Sequence, residues 1–280
     1  MLRIVTDGAV DMPEGWENTY DIQVVPINIQ FKQRSFLQGI DLSNADFYRM
    51  AEEGGTIPQT SQPSPQQFAD FYRKVAQRGE TILSMHVTAK LSGTFASAEW
   101  AARELAGQYN ILPFDSASGS AALGYMCREA RLLERAGKTL EQIVERMEFI
   151  RRNVVIVLTL NTLEYARRSG RVKALQAALA SLLNIKPVIV LKDGALEMGE
   201  RVRTRRRALD FVVEDVRQRL GGRPANVAVV QAEDPGSGQF LLEKVRAEIN
   251  CQDLIMTDLS IAVAANLGPG TVGIAAYPVE

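Results

Sequence analysis

The strongest constraint on the fold is the alternation of short apolar runs with helix-like segments through the first 150 residues. LRIVTD, ETILSMHV and YNILPFDS have the composition of strands. The segments between them carry N-cap serines, amphipathic spacing and terminal glycines, which are typical of helices. Because parallel strands need such crossover connections, the pattern predicts an α/β domain with a mostly parallel sheet and helices on both faces.

Two local expectations accompany this reading. The run IQVVPINIQF favours one longer strand. The segment from Ser64 to Gly79 favours a helix that Ser64 caps, Pro65 begins and Gly79 ends.

The second half has a different rhythm. Asp193-Gly194 stands between two apolar runs, which strongly favours a β-hairpin, and further strand signals follow up to TVGIAAYPV. KALQAALASLLN reads as a helix. Net charge changes from negative to positive near residue 150. We therefore predict two domains, an N-terminal α/β domain at 1–152 and a C-terminal α+β domain with antiparallel strands at 153–280.

Composition excludes several classes of protein. Lys plus Arg number 32 and Asp plus Glu 33, so no broad nucleic-acid footprint is expected. Two separated cysteines and a single histidine, His86, predict neither a disulfide framework nor a metal site. The sequence shows no secretory signal and no run of 18 apolar residues. We expect a cytoplasmic protein without a cofactor or a transmembrane segment, and transient contact with a membrane surface stays open.

Small polar residues after the strands are the candidates for ligand binding. In LSGTF, Gly93 allows close backbone approach, Ser92 and Thr94 offer hydroxyls, and a helix begins there. A helix start presents free N–H groups, so this segment suits a carboxylate or a phosphate. The alternative is an ordinary Ser/Thr helix cap.

Two further loops have similar character. TSQPSP at 60–65 reads as a stiff loop that presents Thr60 and Ser61, or else as a plain helix lead-in. NLGPGTVGI at 266–274 reads as a glycine-rich turn in which Asn266 and Gly268 come close to a ligand. Taken alone, each of these signals is weak.

Arginines cluster in the second half, in ARRSGR and in ERVRTRRRA. Some belong on a solvated helix face, but five in seven residues exceed what a face needs. Arginine suits bidentate contact with phosphate or carboxylate. No Walker or dinucleotide motif is present, and His86 reads as a hydrogen-bonded core histidine.

Taken in order, these segments resemble the DegV family across nearly the whole chain. The segments that carry the resemblance are TDGAVDMP at 6–13, TSQPSP at 60–65, HVTAKLSGTFASA at 86–98, FDSASGSAALG at 114–124, TLNTLEYARRSGRV at 159–172, IKPVIVLKDG at 185–194, RVRT at 201–204 and NLGPGTVGI at 266–274.

The resemblance implies a two-domain protein that binds a long-chain fatty acid between its domains. It places the carboxylate near Thr60, Ser61, Ser92, Gly93 and Thr94, with Asn266 and Gly268 close by. It further implies that a separate ATP-binding kinase subunit makes the acyl-phosphate, so this chain would be a lipid-binding subunit and not itself an enzyme. Arg171 and Arg203 match positions used for phosphoryl transfer or partner docking.

The chain departs from the family pattern at two main places. Gly8 stands where the family usually has Ser, and Asn266 stands where it usually has His. Because Asn cannot carry a proton, we expect normal lipid binding, whereas phosphoryl transfer is expected to be weak or absent. Two alternatives stay open: a lipid-responsive binding protein without kinase coupling, and a phosphotransfer enzyme for a small metabolite that uses Asp7, Asp115 and the arginines.

Overall fold

The computed structural model describes residues 2–54, 57–173 and 185–280. Its contacts divide the chain into two compact units. Unit 1 contains Met1–Arg151 and Ser260–Ala262, and unit 2 contains Arg152–Leu259 and Val263–Glu280. Within unit 1, the amide of Ser260 donates to Asp11 Oδ1 over 2.7 Å.

Unit 1 is built around a parallel sheet of four strands in the order β2-β1-β6-β7. These strands are β1 (Leu2–Asp7), β2 (Ile22–Val25), β6 (Thr81–His86) and β7 (Asn110–Asp115). The helices are α1 (Trp16–Thr19), α2 (Asn44–Gly54), α3 (Pro65–Val75), α4 (Thr94–Glu104), α5 (Ser120–Arg135) and α6 (Leu140–Asn153). The predicted parallel α/β architecture is confirmed.

A second, antiparallel sheet in unit 1 was not expected. It contains β3 (Asn28–Phe31), β4 (Arg34–Leu37) and β5 (Gln59–Ser61), in the order β4-β3-β5. The expectation of one long strand from IQVVPINIQF is therefore wrong. β2 ends just before Pro26, which has no N–H to donate to a ladder, and the chain then enters a different sheet as β3.

The helix predicted from Ser64 starts as expected and ends early. The Ser64 hydroxyl accepts from Gln67 N, the Gln67 side chain accepts from Ser64 N, and Pro65 occupies the first turn. The helix ends at Val75, because Ala76 already has extended backbone angles, so the predicted stop at Gly79 is wrong.

Unit 2 is built around one mixed sheet of seven strands, in the order β13-β12-β14-β8-β10-β11-β9. Four of its six strand pairs are antiparallel. The strands are β8 (Val155–Thr159), β9 (Val172–Lys173), β10 (Lys186–Lys192), β11 (Ala195–Val202), β12 (Ala225–Gln231), β13 (Cys251–Asp258) and β14 (Val272–Pro278). The helices are α7 (Glu164–Ser169), α8 (Arg205–Leu220), α9 (Pro235–Glu248) and α10 (Ile261–Leu267), whose first two residues belong to unit 1.

The hairpin prediction is confirmed, since β10 and β11 pair and both Asp193 and Gly194 have positive φ, as a type I′ turn requires. The helix predicted for KALQAALASLLN lies outside the described residues, apart from Lys173 at the end of β9.

Each unit has its own apolar core. In unit 1, Phe68 and Tyr72 of α3 and Ala98 and Ala101 of α4 pack with Val5 of β1. In unit 2, Val212 and Val216 of α8 and Val245 of α9 pack in one cluster with Val227 and Val229 of β12. Full burial of each valine-sized side chain contributes about 1.5–3 kcal/mol, so these contacts hold the helices against the sheets.

Candidate functional site

Three neighbouring strands of the parallel sheet end in polar side chains. β1 ends at Asp7, β6 at His86 and β7 at Asp115, and ligands of open α/β sheets bind beyond such carboxyl ends. His86 is fully buried. Its Nδ1 lies 3.1 Å from Asp7 Oδ2, and its Nε2 lies 2.7 Å from Ser84 Oγ. The prediction of a hydrogen-bonded core histidine is confirmed.

The bonds around His86 have a defined direction. Because the Asp7 carboxylate accepts, Nδ1 of His86 carries a proton, and in the neutral imidazole Nε2 then accepts from Ser84. Ser84 Oγ in turn accepts from the Tyr72 hydroxyl over 2.8 Å. Burial raises the pKa of Tyr72 well above its ordinary value, which keeps this phenol protonated as the donor. We call these four side chains the Tyr72–Asp7 relay.

The relay has the Ser–His–Asp order of a hydrolase, but its chemistry is structural. Ser84 is fully buried, and its oxygen already receives the Tyr72 hydroxyl. A nucleophile must reach a substrate. The relay therefore fixes the orientation of the Asp7 and His86 side chains at the ends of β1 and β6.

The loop from residue 87 to residue 93, the β6–α4 loop, passes through Ser92 and Gly93 and joins α4 at Thr94. The hydroxyls of Ser92 and Thr94 lie 2.8 Å apart, and Thr94 N donates weakly to Ser92 Oγ over 3.3 Å. Helix α4 begins at Thr94, and its N-cap residue Gly93 has no side chain to cap it. The amides of the first turn, at Phe95 and Ala96, thus lack helical partners and are directed out of the helix end.

The TSQPSP segment lies against this loop. A Cβ atom on Gly93 would lie 2.6 Å from Gln62 Nε2, so the Gln62 side chain occupies the space that Gly93 leaves. Thr60 and Ser61 lie in strand β5, opposite Ile29 and Asn28. The expectation that these two residues belong to a stiff loop is wrong, because they complete the antiparallel sheet. The structure does bring the two predicted segments of unit 1 together.

In unit 2, Asn266 and Gly268 stand at the end of α10. Asn266 is half-buried, and its carbonyl accepts from Ser169 Oγ over 3.2 Å. The loop at residues 268–271, the glycine loop, has positive φ at Gly268 and Gly270. A Cβ at Gly268 would lie 2.8 Å from the Tyr165 ring, so the close approach predicted for this glycine is to the protein's own side chain.

The two singled-out arginines are both exposed. Arg171 donates through its guanidinium to the carbonyl of Ser169, the residue that also contacts Asn266. Arg203 makes no hydrogen bond or ion pair with any residue of the described ranges. The structure therefore links Arg171 to Asn266 through Ser169, whereas Arg203 has no hydrogen bond to either of them among the described residues.

The remaining arginines of RVRTRRRA have partners inside unit 2. Arg205 pairs with Asp234 at 2.8 Å, Arg206 lies over the Phe240 ring at 4.0 Å, and Arg207 lies 3.6 Å from Glu214. Three of the five arginines thus take part in packing and ion pairing within unit 2. Fewer arginines are therefore available to a ligand than the sequence cluster indicated. Sequence reasoning missed Arg205, which also donates to the Gly270 carbonyl over 2.6 Å, and no sequence signal distinguishes it from its neighbours.

Within the described ranges, no three His, Cys, Asp or Glu side chains are grouped as a metal site requires. None of the helices in those ranges combines the length and apolar character needed to cross a membrane. Cys127 is fully buried, which raises the pKa of its thiol to about 12 and keeps it unreactive.

Comparison with known proteins gives consistent matches over the full length. The model of the family described as "Uncharacterised protein, DegV family" matches residues 1–279. A DegV domain-containing protein of Deinococcus radiodurans is 32% identical, with 100% of this chain and 99% of that protein covered. A DegV family protein from Thermus thermophilus, whose structure was described for its fatty acid binding, is 30% identical, has a TM-score of 0.91 and covers 99% of each chain. A DegV lipid-binding protein from Thermotoga maritima is 25% identical with a TM-score of 0.88, over 100% of this chain and 99% of that one.

Proposed function

The chain belongs to the DegV family, and on that premise we propose that it binds a long-chain fatty acid. The observation that supports this most is the uncapped start of α4, with the Ser92 and Thr94 hydroxyls beside it and the Thr60–Gln62 segment against it. We assign the carboxylate of the acid to this place.

The chemistry of these groups suits a singly charged head group. Hydroxyls and main-chain amides donate hydrogen bonds without carrying a full charge, and a buried carboxylate needs such donors. The tail supplies most of the affinity: about 14 methylenes of a C16 chain contribute roughly 11 kcal/mol before the costs of association and ordering are subtracted.

The first experiment identifies the ligand and the head-group residues together. Protein purified from bacteria is analysed by native mass spectrometry, and affinity is measured by displacement of a fluorescent fatty acid. We expect co-purified fatty acid, and a Thr60→Ala/Ser92→Ala variant that binds at least tenfold more weakly, since each hydroxyl to a charged acceptor contributes about 1.5–3 kcal/mol.

Ser35→Ala is the matched control, because Ser35 is exposed and bonds only to Gln30 among the contacts of unit 1. Equal affinity of the double variant and this control would contradict the head-group assignment. A phosphorylated metabolite in place of a lipid would favour the phosphotransfer alternative.

We further propose that a separate ATP-binding kinase subunit phosphorylates the bound acid. In this proposal the kinase docks on this chain at the surface that carries Arg171 and Arg203. Arg203 supports this role because it is exposed and unpaired within the described ranges. Arg171→Ala/Arg203→Ala should slow acyl-phosphate formation with such a kinase and leave lipid affinity unchanged. Arg217→Ala, another exposed arginine of unit 2, is the control. Loss of lipid with unchanged kinase coupling would reverse the assignment.

Asn266 favours a second candidate, a lipid-responsive binding protein without kinase coupling. An amide donates a hydrogen bond to a carboxylate, but it supplies neither a proton nor a positive charge during phosphoryl transfer. We expect normal lipid binding with weak turnover, and Asn266→His should raise turnover by roughly 10²–10⁴, the range of a positioned acid–base group. Wild-type turnover as fast as that of the histidine variant would contradict this candidate.

A further inference from the structure

Three consecutive amides at the start of the β6–α4 loop are each bound by a different group. Val87 N donates to Asp7 Oδ2 over 3.0 Å, Thr88 N to the carbonyl of Ser118 over 2.8 Å, and Ala89 N to Asp115 Oδ1 over 3.3 Å. Successive amides in a turn are a common binding place for anions. Here the protein's own oxygen atoms, two of them from carboxylates, fill that place.

The two carboxylates tie the loop to both neighbouring strands. Asp7, at the end of β1, is fully buried and also accepts from Ala9 N over 2.9 Å and from His86. Asp115, at the end of β7, is half-buried and also accepts from Ala117 N over 2.9 Å, through the same oxygen that accepts from Ala89. The route of the chain into Ser92–Thr94 is therefore set by two fixed negative charges.

We propose that Asp7 and Asp115 are positioning residues that hold the β6–α4 loop and make the site prefer a singly charged head group to a doubly charged one. The proposal rests on the fatty-acid function proposed above and names a determinant of its specificity. The amides that a phosphate would use are already engaged, which leaves the hydroxyls and the start of α4. A second negative charge on a ligand there is repelled by the carboxylates behind the loop.

The size of this repulsion follows from electrostatics. One additional unit charge about 10 Å from a carboxylate, at an effective dielectric constant of about 20, changes affinity about tenfold, and salt reduces this. Removal of one carboxylate is therefore expected to change the relative affinity for the two head groups about three- to tenfold.

The test uses two ligands with the same tail, dodecanoate and dodecyl phosphate, at pH 8. Their affinities are measured by displacement of a fluorescent fatty acid from the full chain and from Asp115→Asn. The asparagine keeps a carbonyl oxygen for Ala89 and Ala117 and removes only the charge. We expect the ratio of affinities to shift toward dodecyl phosphate by about three- to tenfold.

Two variants serve as controls. Asp193→Asn removes one charge at the hairpin turn, where Asn-Gly is equally suitable, and should leave the ratio unchanged. Asp115→Glu keeps the charge with displaced oxygens, so both affinities should fall together. If Asp115→Asn is too unstable to purify, Asp115→Ser gives the same comparison, because its hydroxyl still accepts from Ala117.

An unchanged ratio in the uncharged variants would overturn the proposal, even if both affinities fall. Wild-type protein that binds neither ligand would instead contradict the proposed function, and this proposal with it.

Discussion

The β6–α4 loop of unit 1 and the glycine loop of unit 2 are held by groups of opposite charge. Carboxylates accept amide hydrogens in the first, whereas in the second the Arg205 guanidinium donates to the Gly270 carbonyl and to Asp234. Their glycines also differ. Gly93 has an ordinary φ of −78°, whereas Gly270 has a φ of +75°. Gly93 thus provides space at an ordinary backbone conformation, whereas Gly270 provides both space and a positive φ, and substitutions separate the two cases.

The largest expected effect is at Gly270. In Gly270→Ala the new Cβ would lie 2.6 Å from Asn161 Cβ, and the positive φ is strained for any L side chain. We expect a loss of about 2–4 kcal/mol in the free energy of unfolding, measured in urea. Gly236→Ala, which has open space around its Cβ, should cost nothing. Equal stability of Gly270→Ala and Gly236→Ala would show that the glycine loop does not require glycine at position 270.

The next effect tests the support behind the β6–α4 loop. Ser84→Ala leaves the Tyr72 hydroxyl and His86 Nε2 without their shared partner, and buried unpaired groups cost about 1–3 kcal/mol each. We expect a loss of about 2–3 kcal/mol. In a double-mutant cycle with Tyr72→Phe, the double variant should lose less than the sum of the single variants. If the losses of the single variants instead add up to that of the double variant, the Tyr72 and His86 hydrogen bonds to Ser84 are not coupled.

Arg205→Met tests the donor that holds the glycine loop. Removing its two bonds should cost about 2 kcal/mol at neutral pH, whereas Arg207→Met removes only a surface pair and should cost little. Unchanged stability of Arg205→Met in urea would show that the glycine loop does not depend on this donor.

The same variant has a predicted pH dependence. Burial raises the pKa of Asp234, but hydrogen bonds from Ser237 and Arg205 outweigh it and hold that pKa below its usual range. A depressed pKa contributes stability above the ordinary carboxyl value near 4, and this stability is lost as pH falls through the folded pKa. In urea unfolding at several pH values, the gap between wild type and Arg205→Met should therefore narrow on acidification. A gap that widens in acid would contradict the role of Arg205 at Asp234.

The smallest effect is at Gly93. In Gly93→Ala the new Cβ meets only the flexible end of Gln62, which can move aside at an unstrained φ. We expect less than about 1 kcal/mol of lost stability. Fatty-acid affinity should still fall severalfold, because Gln62 shifts against the Thr60–Ser61 strand. A loss of stability as large as that of Gly270→Ala would show that the two loops depend on their glycines alike.

Local signals predicted much of the fold. The Ser64 cap, the Asp193-Gly194 turn and the strands that end at His86 and Asp115 follow from short-range rules, and all are present. The antiparallel sheet of β3, β4 and β5 does not follow from short-range rules, because it pairs Gln59–Ser61 with a strand some thirty residues earlier. Such a pairing leaves no local pattern, and a three-residue strand is too short to show alternation.

The candidate site was predicted by residue type more than by contact. Ser92, Gly93 and Thr94 were found through the start of a helix, which local sequence indicates. Other features of the site depend on tertiary structure. They are the packing of Gln62 on Gly93, the hydrogen bond from Ala89 N to Asp115, and the hydrogen bond by which Arg205, one of the five arginines, contacts Gly270. The assignment of these residues to a fatty acid stays a prediction until the displacement experiments are done.

The bond between Ser260 and Asp11 has a consequence for the order of synthesis. When the ribosome has added Arg151, almost all of unit 1 has been synthesised. The residue that donates to Asp11 Oδ1, Ser260, is added about a hundred residues later. At roughly 5–20 residues per second, unit 1 waits about 5–20 s for its last segment. During that interval a nascent chain, like a fragment truncated after Arg151, holds a buried aspartate one hydrogen bond short. Completion of the first unit therefore depends on translation of nearly the whole second one.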